Sequence, residues 1–143
     1  MSGHLRKRIR TDVRVALAGI LEGYTIRRGG LLTAPEEDLP FAVVLTPTDR
    51  QQLGASYERD HDVSVQVLLS RKANDTVLDD LDDDAVLVEG ALESLLDGLD
   101  FVIDHDLVST ETATPDVGSI DLGGMKLTYQ VVATAAPGSP AID

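Results

Sequence analysis

Tyr57–Leu99 reads YERDHDVSVQVLLSRKANDTVLDDLDDDAVLVEGALESLLDGL, and two periodicities meet within it. Val63, Val65, Val67 and Leu69 alternate with Asp62, Ser64, Gln66 and Ser70. That two-residue period belongs to a half-buried strand. After Arg71-Lys72-Ala73-Asn74 the period lengthens. Leu78, Leu81, Ala85, Val88, Leu92, Leu95, Leu96 and Leu99 recur at steps of three and four, which places them on one face of an α-helix. Asn74, Asp75 and Thr76 are N-cap candidates, and carboxylates in the following turns suit the positive end of the helix dipole. A strand and helix joined so tightly pack face to face and nucleate a small α/β domain.

The remaining segments supply partners for that unit. Leu5, Ile9, Val13, Ala16, Leu17, Ile20 and Leu21 form the apolar stripe of an N-terminal helix, with Gly23 placed to end it in a left-handed cap. Tyr24–Arg28 is a short strand candidate, followed by a Gly29-Gly30 turn and a polar connection over Thr33–Asp38. Leu39–Thr46 reads as a short buried strand, and Pro47 then weakens further sheet pairing, because proline cannot donate to a ladder. Thr48–Ser56 lacks periodicity and reads as a mobile loop. Gly90 in the long helix predicts close packing or a kink, since glycine there costs about 1 kcal/mol relative to alanine. Asp97-Gly98 ends that helix. Val102–Thr114 holds one or two extended pieces, with Leu107–Thr114 the stronger strand, and Pro115–Ser119 is a turn. Ile120 opens a last long strand with a bulge expected at Gly123-Gly124, and Met125, Leu127, Tyr129, Val131 and Ala133 continue its apolar side. The expected fold is α/β (α+β). A mixed, mostly antiparallel sheet of four to five strands is packed by the N-terminal helix and the long central helix. Residues 1–136 form one domain and residues 137–143 a flexible tail.

Composition narrows the function. At 143 residues the chain is one domain long enough to bury ~70% of its unfolded surface. It has no cysteine, so thiolate catalysis, disulfides and Cys-ligated metal centres are excluded. No apolar run approaches the ~20 residues of a membrane span. Asp12 and Arg14 interrupt the segment that a signal peptide needs apolar, so a soluble protein not exported by that route is expected.

The net charge of −13 argues against a DNA-groove or anionic-membrane binder, and it is unevenly spread. Residues 1–28 carry Arg6, Lys7, Arg8, Arg10, Arg14, Arg27 and Arg28 against Asp12 and Glu22. Residues 75–106 carry only acidic charge, densest at Asp79, Asp80, Asp82, Asp83 and Asp84. Copies arranged head to side can pair such patches, whereas a lone monomer gains little from them. Arg6, Lys7, Arg8, Arg10, Arg27, Arg28 and the Asp79–Asp84 carboxylates are therefore the candidate subunit or partner interface. Some of those carboxylates are also candidates to line a pore or outer rim.

Chemistry is harder to find. The Asp79–Asp84 run lacks the turn glycine and terminal glutamate of a calcium loop and lies on a helix, where neighbouring carboxylates diverge. Asp60-His61-Asp62 and Asp104-His105-Asp106 repeat one pattern ahead of apolar segments. If their strands lay side by side, the two histidines could share a metal or act as an acid/base pair. No phosphate loop, nucleophile elbow or HExxH helix is present. The expectation is a protein that is not an enzyme and holds no cofactor.

The opening Ile9–Leu21 helix, the Leu39-Pro40 lead-in to a short strand, the Arg59–Arg71 strand feeding the Leu78–Leu99 helix, and the closing Met125–Ala133 strand follow a known order. From about Leu5 to Ala135 this layout resembles the tail terminator (tail-completion, minor tail protein U-like) family of long-tailed bacteriophages. The resemblance implies a homo-oligomeric ring, typically a hexamer, at the head-proximal end of the tail tube. Such a ring stops tube polymerisation and offers a docking surface to head-completion or neck proteins, while DNA passes through without specific binding. The resemblance also implies a place in the virion after synthesis in the host cytoplasm. It carries no catalytic residues. Head–tail joining (neck) proteins share the same loose description, and a nucleic-acid-binding module using the basic N-terminal helix is the alternative from another class.

Overall fold

The computed structural model describes residues 2–27, 40–53, 59–113, 116–117 and 120–135. Along the chain come α1 (Ser2–Ile20), β1 (Thr25–Arg27), β2 (Phe41–Leu53), β3 (Arg59–Lys72), α2 (Val77–Gly98), β4 (Val102–Ala113), β5 (Asp116–Val117) and β6 (Ile120–Ala135). The fold is mixed α+β. Its main sheet has the order β1-β2-β3-β6-β4, and β5 folds back on the start of β6. Only the β1–β2 pair is parallel.

β3 lies at the centre, flanked by β2 and β6. That position explains its alternation. Val63, Val65, Val67 and Leu69 face a layer made by both helices, opposite Val131, Tyr129, Leu127 and Met125 of β6. α1 contributes Leu5, Ile9, Val13 and Leu17, and α2 contributes Leu81, Val88, Leu92 and Leu96, all buried. Each such leucine or valine stabilises the fold by roughly 2 kcal/mol. α1 packs over β1, β2 and β3, while α2 packs over β3, β6 and β4. The helices therefore divide the sheet between them. α1 closes as its sequence predicts: Gly23 takes φ 81°, the left-handed conformation that lets the chain turn back into β1. On the opposite sheet face Gln130 donates to Asp62 at 2.7 Å, and the Arg27 guanidinium lies 5.2 Å from the centre of the Phe41 ring.

Several sequence expectations need correction. β2 does not end at Pro47, and Thr48–Leu53 is strand rather than mobile loop; Gly54–Ser56 lie outside the described residues. The register with β3 shifts by one residue between Leu45 and Thr48, so Pro47 sits in a bulge. β1 pairs only with Phe41–Val43, which leaves the second edge of β2 without a described partner at Pro47, where a missing N–H costs nothing. The bulge also flips the strand's facing: Ala42 and Val44 turn to the helices before it, and Asp49, opposite Val63, after it. β4 is one strand beginning at Val102, with two bulges, between Val102 and Asp104 and between Leu107 and Ser109. Ile103 and Val108, the residues inserted there, are exposed.

The two glycine expectations are also revised. β6 runs through Gly123-Gly124 without a bulge, in continuous register with Arg71 and Ser70 of β3. A Cβ on Gly123 would lie 2.5 Å from Val77 Cγ2 and 3.3 Å from Cγ1, so this glycine lets the first turn of α2 sit on the sheet. Gly90 has open space around it and packs against nothing. Tyr57, Arg28 and residues 137–143 lie outside the described residues, as do Gly29–Asp38 and the 115 and 118–119 positions of the expected turn.

Candidate assembly surfaces

The basic residues of the N-terminal region lie on α1 and β1, over one lateral half of the sheet. Many of them already have partners within the chain. Arg8 pairs with Asp12 at 2.8 Å one helical turn away, and its guanidinium lies 5.5 Å from the Phe101 ring centre. Arg10 donates to the buried Thr46 hydroxyl at 2.5 Å, pinning α1 to the bulge of β2. Arg27 lies over Phe41. The Arg6 Nε is buried without a hydrogen-bond partner among the described residues. Lys7 is exposed and, with Arg14 and Val15, lines an open groove between α1 and β1. Arg28 lies outside the described residues.

The carboxylates of α2 lie over the other half. Asp79, Asp82 and Asp83 are exposed, and Asp80 accepts from the Thr76 hydroxyl at 3.0 Å. Thr76 is the N-cap but makes no capping bond with its own side chain; its N–H donates to the Asn74 side chain at 3.0 Å. Asp84 differs from the rest of the run. It points inward, accepting from Arg71 Nε at 2.7 Å and Nη2 at 3.3 Å, and from the Tyr24 hydroxyl. The Arg71 guanidinium also lies 5.4 Å from the Tyr24 ring centre. Burial, then the bond to Asp84, raises the Tyr24 pKa, and the same carboxylate raises that of Arg71. This node ties the end of β3, the first half of α2 and the α1–β1 connection together. Asp84 is thus internal scaffold, while its neighbours in sequence remain on the surface.

The two Asp-His-Asp segments are not brought together, because β6 separates β3 from β4. Each histidine instead finds a carboxylate elsewhere. His61, fully buried, has its Nδ1 3.0 Å from Asp49 across the β2–β3 pair. His105 has its Nε2 2.6 Å from Asp97 in the last turn of α2. Among the described residues no group of three or more His, Asp or Glu is arranged to hold a metal ion, and no helix is long and apolar enough to cross a membrane.

A second acidic feature lies where α2 meets the edge strand. Glu89, Glu93, His105, Asp106, Leu107 and Tyr129 line an open groove of about 250 Å³. Tyr129 is 3% exposed, and its hydroxyl has no hydrogen-bond partner among the described residues. Burial, then the charges of Glu89 and Glu93, raises its pKa. The sequence signals for this groove are a tyrosine in the core-facing register of β6 and two glutamates one helical turn apart.

Tyr24 and Tyr129 make the fold sensitive to alkali. Their folded pKa values lie above the ordinary value near 10, so in rising pH the unfolded chain releases protons that the folded chain retains. Stability is complete below about pH 10 and falls above it. The urea midpoint should decline with pH in that range, and less steeply in Tyr129→Phe. An equal slope in the variant would show that the hydroxyl is free to ionise in the folded state.

No protein-family model and no curated protein matches this chain. A solved structure described as the virion of a native gene transfer agent particle contains a chain similar to this one. The likeness covers 94% of this chain and 97% of that one, with a TM-score of 0.49 and 11% sequence identity.

Proposed function

We propose that this chain is a structural subunit of a phage-like virion, a tail terminator that closes into a ring on the tail tube. The observation that carries the reading is the division of charge across the sheet. Basic α1 covers the β1–β2 side and acidic α2 covers the β6–β4 side, so unlike patches lie toward opposite lateral edges. Subunits related by rotation present different patches to each neighbour, and such heterologous contacts close into rings. The order of elements resembling the tail terminator family supports the same reading. In such a ring the exposed Asp79, Asp82 and Asp83 suit a pore or rim, where negative charge keeps passing DNA from adhering.

Native mass measured by light scattering from low to high ionic strength tests the proposal. A discrete oligomer, typically a hexamer, that weakens with salt is expected. Added to purified tail-tube protein, it should bind tube ends and limit their length. Binding to a head connector but not to the tube would identify a neck protein instead. A monomer that shifts DNA with steep salt dependence would replace the reading with a nucleic-acid-binding module.

A further inference from the structure

We infer that the α2–β4 groove is a socket for a cationic side chain from a second copy of this chain, and that Lys7 of α1 fills it. The inference rests on the ring reading and gives it a specific contact. The groove offers Glu89 and Glu93 from α2 and Asp106 from β4, above the buried Tyr129 hydroxyl. A buried hydroxyl without a partner is costly, so its presence marks a place where an incoming group completes the bonding. Among the described residues these carboxylates belong to no group arranged to hold a metal ion. Leu107 adds an apolar wall, which suits a cation carried on an aliphatic stem. A lysine ammonium can donate to the Tyr129 oxygen and to either glutamate.

Lys7 is the donor that the geometry favours. It is exposed on α1, beside Arg14 and Val15, toward the opposite lateral edge of the sheet from the socket. Val15 is 69% exposed there. Val86, one turn before Glu89 and Gly90 on α2, is 66% exposed. An apolar contact is thus available beside the charged one on each surface. Because plug and socket lie on different edges, each subunit gives one contact and receives another, as a closed ring needs.

The absence of cysteine makes the contact directly testable. In the full chain, Lys7→Cys combined with Glu93→Cys should give a reducible ladder of covalent oligomers on mild oxidation. Either single variant should give dimers at most. Charge inversion provides an independent measurement. Lys7→Glu and Glu93→Lys should each lower the native mass, and the two together should restore it. Tyr129→Phe should leave the circular dichroism unchanged and weaken association about tenfold. An oligomer of normal mass that forms no ladder and tolerates both inversions would overturn the inference while leaving the ring intact. Loss of tube binding in Glu93→Lys with self-association unchanged would overturn it too, by assigning the socket to another protein. A chain that is monomeric throughout would end both the inference and the ring.

Discussion

Arg71→Met should destabilise the protein by about 3 kcal/mol and lower the melting temperature by about 10 °C. The side chain of Asp84 is 10% exposed and that of Arg71 31%. Removing the arginine therefore strands a buried carboxylate with the Tyr24 hydroxyl as its one remaining partner among the described residues, whereas removing the aspartate leaves a guanidinium that water still reaches. Asp84→Leu should cost less, about 1–2 kcal/mol, and Arg71→Met/Asp84→Leu should be more stable than Arg71→Met alone. Urea titrations of the four proteins measure all of this. A loss under 0.5 kcal/mol in Arg71→Met would reduce the node to an ordinary surface ion pair.

Gly123→Ala should cost about 2–3 kcal/mol, although it adds a single methyl group to a strand. The added Cβ would meet Val77 Cγ2 at 2.5 Å. Valine is branched at Cβ and has little rotamer freedom in a helix, so the first turn of α2 has to lift from the sheet. Val77→Ala on the same background should recover part of the loss by removing both offending methyls. Gly90→Ala is the contrasting control. Open space surrounds that site, and the substitution should raise stability by about 1 kcal/mol through helix propensity alone. Thermal melts of the three variants and the wild type decide the matter: equal destabilisation at Gly123 and Gly90 would remove the close-approach argument.

Where one face of an element is buried along its whole length, the sequence pattern is enough to find it. β3 and α2 meet that condition, and periodicity locates each within one or two residues, whereas α1 begins at Ser2, three residues before the first leucine of its stripe. It fails where an extra residue breaks the alternation. The bulge at Pro47 hides the second half of β2, and the two bulges of β4 turn one strand into apparent fragments. The same breaks conceal the partner of His61, because Asp49 faces the helices only after the register shift. Charge was legible in amount and not in direction. Six consecutive positions containing five aspartates look alike in sequence, yet the helix turns Asp84 to the interior and leaves Asp79, Asp82 and Asp83 outside. The Tyr129 groove joins α2, β4 and β6, elements distant along the chain, so only the tertiary fold assembles it.

The two bulges of β4 set how permanent any association at that edge can be. An edge strand usually invites a foreign strand to continue its ladder, and that templating leads toward fibres. In β4 the extra residues at Ile103 and Val108 interrupt the spacing of the backbone groups. At the other edge β1 is described over Thr25–Arg27. The β4 margin gives a newcomer no long, even row of donors and acceptors. Recognition at this margin falls to side chains, whose contacts form and dissociate more readily than a continued backbone ladder.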